Sequence, residues 1–154
     1  MRLTEGSAAR SRGPATNSMT AEFIDTNILI YAEDSGMGAK HQIAVDLVAR
    51  LARQDAGALS TQVLAEYYNA ATKKLHLTSE EAEETIRDLS FWRIHRPAHA
   101  DIVNSIGLQR RYRLAWWDAM IVNSAIESGS GILWSEDLNN GQEFGSLVVR
   151  NPFV

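Results

Sequence analysis

Four carboxylate side chains occupy positions from which they could do chemistry together. Asp25 ends one short apolar run, and Asp137 follows another that ends at residue 134. Glu66 lies in the first turns of a segment with helical periodicity, and Asp118 lies at the start of a second such segment. Oxygen-only ligands of this kind suit Mg²⁺ or Mn²⁺, which bind through a few carboxylates and retain water. The pattern therefore raises the hypothesis of an acidic metal site.

Three of these acids also have a purely structural interpretation. Asp25 is a favoured residue type for a helix N-cap, Asp118 would interact favourably with a helix dipole, and Asp137 lies among turn-forming residues. Glu66 differs because its helical neighbours place it at the margin of an apolar stripe, where an unpaired charge costs several kcal/mol. No lysine or arginine is spaced to pair with it locally. A bound cation would supply the missing charge.

The elements that carry these acids alternate between strands and helices. Apolar runs predict strands at residues 21–25, 57–60, 91–95, 131–134 and 147–149. Helical spacing and capping residues predict helices at residues 26–33, 40–53, 62–75, 79–89, 98–112 and 117–127. This alternation favours a mostly parallel sheet covered on both faces. Asp25, Glu66 and Asp137 should then face one edge of the sheet, where Asp118 could meet them.

Bulk composition limits the class of protein. The 154 residues suffice for one domain with a full core, and 45% hydrophobic with 22% charged residues is a globular composition. No apolar run approaches the roughly 18 residues of a membrane span. The chain has no cysteine, which excludes disulfides and thiolate zinc sites and is compatible with the cytoplasm, where we expect the protein to act. A net charge of −4 argues against a simple nucleic-acid-coating module.

The first 18 residues form a distinct segment of the sequence. They are rich in Gly, Ser and Arg and show no apolar periodicity. We predict that residues 1–18 are a disordered leader or tag, and that residues 19–154 form a single domain.

The acidic motifs together resemble those of the PIN domain family, and the chain is most similar within it to VapC-type toxins. The resemblance is carried by FIDTN at residues 23–27, the isolated Glu66, WDA at residues 117–119 and LWSED at residues 133–137. Each motif alone is weak, whereas four in this order cover the chain from residue 19 to its end. The resemblance implies an α/β fold, a three-layer α/β/α sandwich with a mostly parallel central sheet.

The resemblance also implies a function and a set of site residues. It implies a ribonuclease with Mg²⁺ or Mn²⁺ in an acidic pocket, a cognate antitoxin as protein partner, and a homodimer. By position, the metal-binding and catalytic acids would be Asp25, Glu66, Asp118 and Asp137. Asn27 and Ser135 would form the supporting shell, Asn27 beside Asp25 and Ser135 near the scissile phosphate or its water. Glu136 adjoins Asp137, so either residue could be the fourth acid.

An RNA substrate would have to be brought to this anionic pocket by residues outside it. The basic candidates are the run from Arg110 to Arg113 and, next, Lys73 with Lys74. The arginine run fits equally well as a solvated helix end that favours the helix dipole. Trp116 and Trp117 could stack on bases, but the usual burial of aromatic residues favours packing in the core or an interface.

Three functional hypotheses follow from these residues. The first is a metal-dependent endoribonuclease, the toxin of a toxin–antitoxin pair. The second is a non-catalytic α/β module that binds metal or RNA. The third is a metal-dependent phosphatase, which also uses acids at strand ends, although the sequence Asp25-Thr26-Asn27 lacks the second Asp that a phosphoaspartate hydrolase uses as its acid.

Overall fold

Strands and helices alternate along most of the chain. The computed structural model describes residues 20–154, so the predicted leader at residues 1–18 lies outside the described residues. The first half contains β1 (Glu22–Ile24), α1 (Thr26–Glu33), α2 (Ala39–Arg53), β2 (Gly57–Ser60), α3 (Thr61–Lys73) and α4 (Ser79–Asp88). The second half contains β3 (Arg93–His95), α5 (His99–Tyr112), α6 (Trp116–Glu127), β4 (Ile132–Trp134), β5 (Glu143–Phe144) and β6 (Leu147–Arg150).

One sheet joins the six strands in the order β3-β2-β1-β4-β6-β5. Every neighbouring pair is parallel except β5 with β6, which is antiparallel. The chain builds outward from β1 to β2 and β3, and then returns past β1 to β4. Because parallel crossovers are right-handed, this reversal sends α1–α4 to one face and α5–α6 to the other. The predicted α/β fold, a three-layer α/β/α sandwich with a mostly parallel sheet, is confirmed.

The core lies between the sheet and these two helical layers. The central strands are buried on both faces, as expected of parallel strands covered by helices. Phe23, Ile24, Leu59 and Leu133 from three adjacent strands are completely buried. No helix within residues 20–154 is long and apolar enough to cross a membrane.

Most predicted elements are present with shifted ends, and two details were wrong. Residues 91–95 were predicted as a strand, but only Arg93–His95 is one, since Leu89–Phe91 forms a short 3-10 turn with Phe91 77% exposed. The strand β5 was not predicted, because two residues are too few to show a period. The available signal was the Gly145-Ser146 pair between Phe144 and Leu147, which is typical of a two-residue hairpin.

Candidate functional site

The strand order reverses between β1 and β4, which makes the carboxyl ends of these two strands the expected place for a binding crevice. These strands pair in parallel at the centre of the sheet, while the connections leaving them run in opposite directions. In open α/β sheets, ligands bind at such a point, outside the carboxyl ends of the strands. Asp25 follows the last residue of β1, and Ser135 follows the last residue of β4. The two residues therefore meet at the crevice.

Asp25 is a buried acid whose two carboxylate oxygens have different hydrogen-bond partners. Its carboxylate is only 6% exposed. One oxygen, Oδ1, accepts a hydrogen bond from the backbone N–H of Thr26 at 2.7 Å and so caps α1. The other, Oδ2, accepts from Ser135 Oγ at 2.8 Å and from Asn27 Nδ2 at 3.4 Å. Capping thus accounts for one oxygen, and the second faces the crevice.

The environment of Asp25 opposes its ionisation. Burial raises the pKa of its carboxyl group from 3.8 to about 6, and hydrogen bonds from Ser135 and Thr26 lower it only in part. The nearby charges of Asp137 and Glu66 also favour the protonated form, and the pKa of about 6 includes their smaller contributions. A carboxylate in this position would gain from a cation, which would offset both the burial and the repulsion.

Glu66 is held by neutral donors from two helices. Its Oε2 accepts from Thr26 Oγ1 at 2.6 Å, and its Oε1 accepts from Gln62 Nε2 at 2.7 Å. A cation is not needed to satisfy these oxygens, although the sequence offers no Lys or Arg nearby, because the hydroxyl of Thr26 and the amide of Gln62 donate to them. The Gln62 contact is an i,i+4 pair within α3, which local spacing indicates. Thr26 also ties Asp25 to Glu66, since its backbone bonds one acid and its side chain the other.

Asp137 reaches the same place through Asn27 and Ser135. Its Oδ2 accepts from Asn27 Nδ2 at 3.1 Å, and its backbone N–H donates to Ser135 Oγ at 3.1 Å. Asn27 therefore bridges Asp25 and Asp137 with one amide group. Ser135 is fully buried and also bonds both segments. These two residues, expected to support the site, connect its first and last acids.

Glu136 points away from this network although it precedes Asp137. Its carboxylate is paired with the ammonium of Lys40 and the hydroxyl of Tyr31. Those contacts lower the pKa of Glu136. Of the two neighbouring acids, Asp137 is thus the one connected to Asp25.

Asp118 completes the group from the opposite helical layer. It lies in the first turn of α6 and is half-buried. Within residues 20–154 its carboxylate has no hydrogen-bond donor, so it remains available to a ligand. Burial raises its pKa, and the charges of Asp137 and Glu66 raise it further. The four acids thus share one electrostatic environment.

The acids do not form a ready-made cage for an ion. Among the described residues, no three His, Asp or Glu side chains lie together closely enough to hold a metal as they stand. The donor set nevertheless fits Mg²⁺ or Mn²⁺, because such ions bind through one or two carboxylates and keep several waters. Gln62 Oε1 supports a hydrated site, since it is buried one turn from Glu66 and has no partner in the described chain. Asp25 and Asp118 would hold the ion most directly.

Exposed basic and aromatic side chains occur just before and at the start of α6, the helix that carries Asp118. Arg110, Arg111 and Arg113 are exposed at the end of α5, and Arg113 ends that helix in the left-handed conformation. Trp117, next to Asp118, is 64% exposed, and its carbonyl oxygen accepts from Gln62 Nε2 at 3.4 Å. Trp117 therefore does not pack in the core, and packing at an interface, the other expectation for it, stays a prediction.

Comparison with known families identifies the arrangement. The sequence model of the PIN domain family matches residues 23–139, which contain all four acids. No curated protein matches the chain.

Several solved structures are similar in fold. A toxin–antitoxin complex from Klebsiella pneumoniae matches with 24% identity and a TM-score of 0.57, covering 86% of this chain and 98% of its own. The sarcin–ricin-loop-cleaving toxin VapC20 of Mycobacterium tuberculosis matches with 18% identity and a TM-score of 0.61, covering 76% and 92%. VapBC2 from Rickettsia felis, bound to promoter DNA, matches with 20% identity and a TM-score of 0.60, covering 85% and 98%. At these identities the likeness establishes the fold.

Proposed function

The chain belongs to the PIN domain family, and we propose that it is a metal-dependent endoribonuclease that acts as the toxin of a type II toxin–antitoxin pair. The observation that carries this proposal is the convergence of four acids on the crevice between β1 and β4. They come from four separate segments, and the charges of Glu66 and Asp137 act on both Asp25 and Asp118. Such mutual repulsion destabilises the fold and is retained at sites that bind a cation.

Each acid would have a distinct role in the proposed reaction. Asp25 and Asp118 would hold Mg²⁺ or Mn²⁺, and Glu66 and Asp137 would orient the attacking water or accept its proton. When bound, the ion supplies the positive charge that activates water and offsets the charge developing on the phosphate. Ser135 would keep Asp25 in place through its hydrogen bond and lie near the phosphate.

Residues outside the crevice would bring RNA to it. Arg110, Arg111 and Arg113 would contact the phosphate backbone, because they are exposed and precede the helix that carries Asp118. Trp117 would stack on an unpaired base beside the cleaved bond. The proposed substrate is therefore an RNA with a single-stranded or looped segment.

The direct test is cleavage of structured RNA by the purified protein with and without Mg²⁺ or Mn²⁺. We expect cutting only with metal, and loss of at least about a hundredfold in rate for Asp25→Asn and for Asp118→Asn, as for removal of groups that act on the reacting atoms. Asp46→Asn is the matched control, since Asp46 lies on α2 and bonds only Gln42 among the described residues.

Three results would reject the ribonuclease. Unchanged cleavage in both site variants would assign the activity to a contaminant. Metal binding by calorimetry without cleavage of any RNA would favour the non-catalytic metal- or RNA-binding module instead, and hydrolysis of small phosphate esters without RNA cleavage would favour the phosphatase.

The proposed partners are an antitoxin protein and a second copy of the chain. The fold likeness to chains from toxin–antitoxin complexes supports the antitoxin. A short gene for a DNA-binding protein beside this one should encode it, and its product should form a stable complex that no longer cleaves RNA. Light scattering of the free protein should give twice the mass of 17.1 kDa if the homodimer forms.

A further inference from the structure

One acid beside the crevice is held away from it by contacts that the proposed chemistry does not use. The carboxylate of Glu136 is engaged at both oxygens: Oε1 pairs with Lys40 Nζ, and Oε2 accepts from the Tyr31 hydroxyl. The Glu136 side chain is partly buried at 24% exposed and that of Lys40 is 39% exposed, so the pair is held by its several contacts rather than by deep burial.

The residues that hold Glu136 are themselves packed. The ring of Tyr31 meets the ring of Phe153 edge to face, with centroids 4.9 Å apart. The Lys40 ammonium lies 5.2 Å from the Tyr31 centroid and 5.6 Å from the Phe153 centroid, within the range of a cation–π contact. Lys40 comes from α2, Tyr31 from α1 and Phe153 from the C-terminal segment. Two separate segments thus hold one carboxylate, and a third packs against the residues that hold it.

This contact sits in the middle of the turn that carries the site. Ser135, Glu136 and Asp137 are consecutive, and each side chain is fixed to a different place: Ser135 to Asp25, Glu136 to Lys40 and Tyr31, and Asp137 to Asn27. The backbone N–H of Glu136 also donates to Asn27 Oδ1 at 3.4 Å. Rotation of the turn by one residue would present Glu136 to the crevice in place of Asp137.

We propose that Lys40 and Tyr31 are positioning residues that hold Glu136 outside the crevice and so select Asp137 as the fourth acid of the metal site. The selection works by charge and geometry. Glu136 is the longer and more flexible of the two acids, and an unpaired carboxylate beside a bound cation would compete for it. Engaging both of its oxygens removes that competitor and fixes the turn. This inference rests on the proposed metal-dependent function.

The test measures how much Glu136 and Asp137 each contribute to Mn²⁺ affinity, with the contacts of Glu136 to Lys40 and Tyr31 present and with them removed. Mn²⁺ binding is followed by calorimetry on the full chain, without RNA and without reference to turnover. In the wild type, Asp137→Asn should weaken Mn²⁺ binding about tenfold, and Glu136→Gln should change it less than about twofold. In the Lys40→Met/Tyr31→Phe background, the Glu136→Gln change should weaken Mn²⁺ binding at least about threefold. The Asp137→Asn change should weaken Mn²⁺ binding less in this background than in the wild type.

The variants are chosen to keep the fold. Tyr31→Phe removes only the hydroxyl and leaves the ring on Phe153, while Lys40→Met keeps the apolar stem. Lys40→Arg should restore the wild-type pattern, because it keeps the charge. Arg53→Met, at an exposed basic residue of α2, is the matched control and should leave both effects unchanged. If the double background unfolds, each single change serves in its place, with a smaller shift in the same direction.

The outcomes separate this inference from the proposed function. If the wild type binds Mn²⁺ and the Glu136→Gln effect is the same in both backgrounds, Lys40 and Tyr31 do not select the acid and only this inference fails. If Glu136→Gln weakens Mn²⁺ binding as much as Asp137→Asn does in the wild type, Glu136 is itself a ligand and the inference also fails. If the wild type binds no divalent ion, the metal-dependent function and the selection both fall.

Discussion

The strand β1 carries a buried acid near each end, and the protein treats the two in opposite ways. Glu22, at the N-terminal end, is 8% exposed, and Asp25, just past the C-terminal end, is 6% exposed. Glu22 accepts two hydrogen bonds from the Arg50 guanidinium, at 2.8 and 3.1 Å, and one from Trp134 Nε1 at 3.1 Å. Asp25 has only neutral donors within residues 20–154, and two more acids raise its pKa.

Burial alone therefore does not tell a structural acid from a functional one. The charge of Glu22 is compensated by a bidentate cation, which ties β1 to α2 and β4. The charge of Asp25 is left uncompensated at the edge where the sheet opens to a ligand. A protein under selection for stability alone would pair both acids or remove them, so the uncompensated charge supports Asp25 as a residue of the proposed site.

The largest effect on the free energy of unfolding should follow from removing the cation that pairs with Glu22. Arg50→Met leaves the buried carboxylate of Glu22 without its cation, and we expect a loss of about 2–3 kcal/mol in the free energy of unfolding. Urea denaturation measures the loss, and the rate of RNA cleavage per folded molecule should not change. Arg53→Met, an exposed residue of the same helix, should stay within about 0.5 kcal/mol of the wild type. Equal losses in the two variants would contradict a special role for the Glu22 pair.

Removing the charge of Asp25, at the other end of β1, should instead stabilise the folded protein. The pKa of Asp25 is about 6 in the folded state, against 3.8 for an unperturbed aspartic acid, so the folded protein holds this proton more tightly than the unfolded chain. The fold is therefore most favoured by this group below pH 4, and that contribution is lost as pH rises through 6. Asn in its place carries no charge to bury, so Asp25→Asn should stabilise the protein at pH 7.5 by about 2 kcal/mol.

The pH profile provides the check on this prediction. Melting temperatures of wild type and Asp25→Asn without divalent metal should converge toward pH 4 and separate above pH 6, with the variant more stable. A variant that is less stable at pH 7.5 would show that the cap on α1 outweighs the cost of the buried charge. The same variant should not cleave RNA. Its melting temperature and its cleavage rate together would then show that the charge of Asp25 lowers stability and is needed for activity.

The smallest effect should come from the exposed aromatic at the site. Trp117→Ala removes a side chain that is 64% exposed, so the free energy of unfolding should change by less than about 0.5 kcal/mol. Loss of one stacked base should raise KM for RNA about fivefold or more, with kcat little changed. Trp117→Phe should retain most of the affinity. An unchanged KM with a changed oligomeric mass would assign Trp117 to a protein interface instead.

Much of this architecture followed from local sequence. The capping box that opens α4 joins Thr78 and Glu81 as their spacing predicts, and Ser60 caps α3. Helical periodicity located α2 to within one residue. Signals of this kind act over a turn or two of chain, so they can be identified without knowledge of the fold. The antiparallel strand β5 was missed because it exists only through pairing with β6.

The residues of the candidate site could be named from the sequence, but their contacts could not. The order and types of the four acids, with Asn27 and Ser135, follow from motifs in the sequence, and the reversal of the sheet explains why they meet. One of the two neutral donors to Glu66 is Thr26, which is 40 residues away. The pairing of Glu136 with Lys40 spans 96 residues.

The sequence by itself determined which residues could do chemistry here and which elements carry them, because both depend on residue type and local period. Only the tertiary structure decided that Glu22 is paired while Asp25 is not, and that Glu136 turns outward while Asp137 joins the crevice. Adjacent acids in one turn have the same chemistry, so local sequence cannot rank them. Their difference lies in what distant segments place beside them: Arg50, Lys40 and Tyr31 on one side, and other carboxylates on the other.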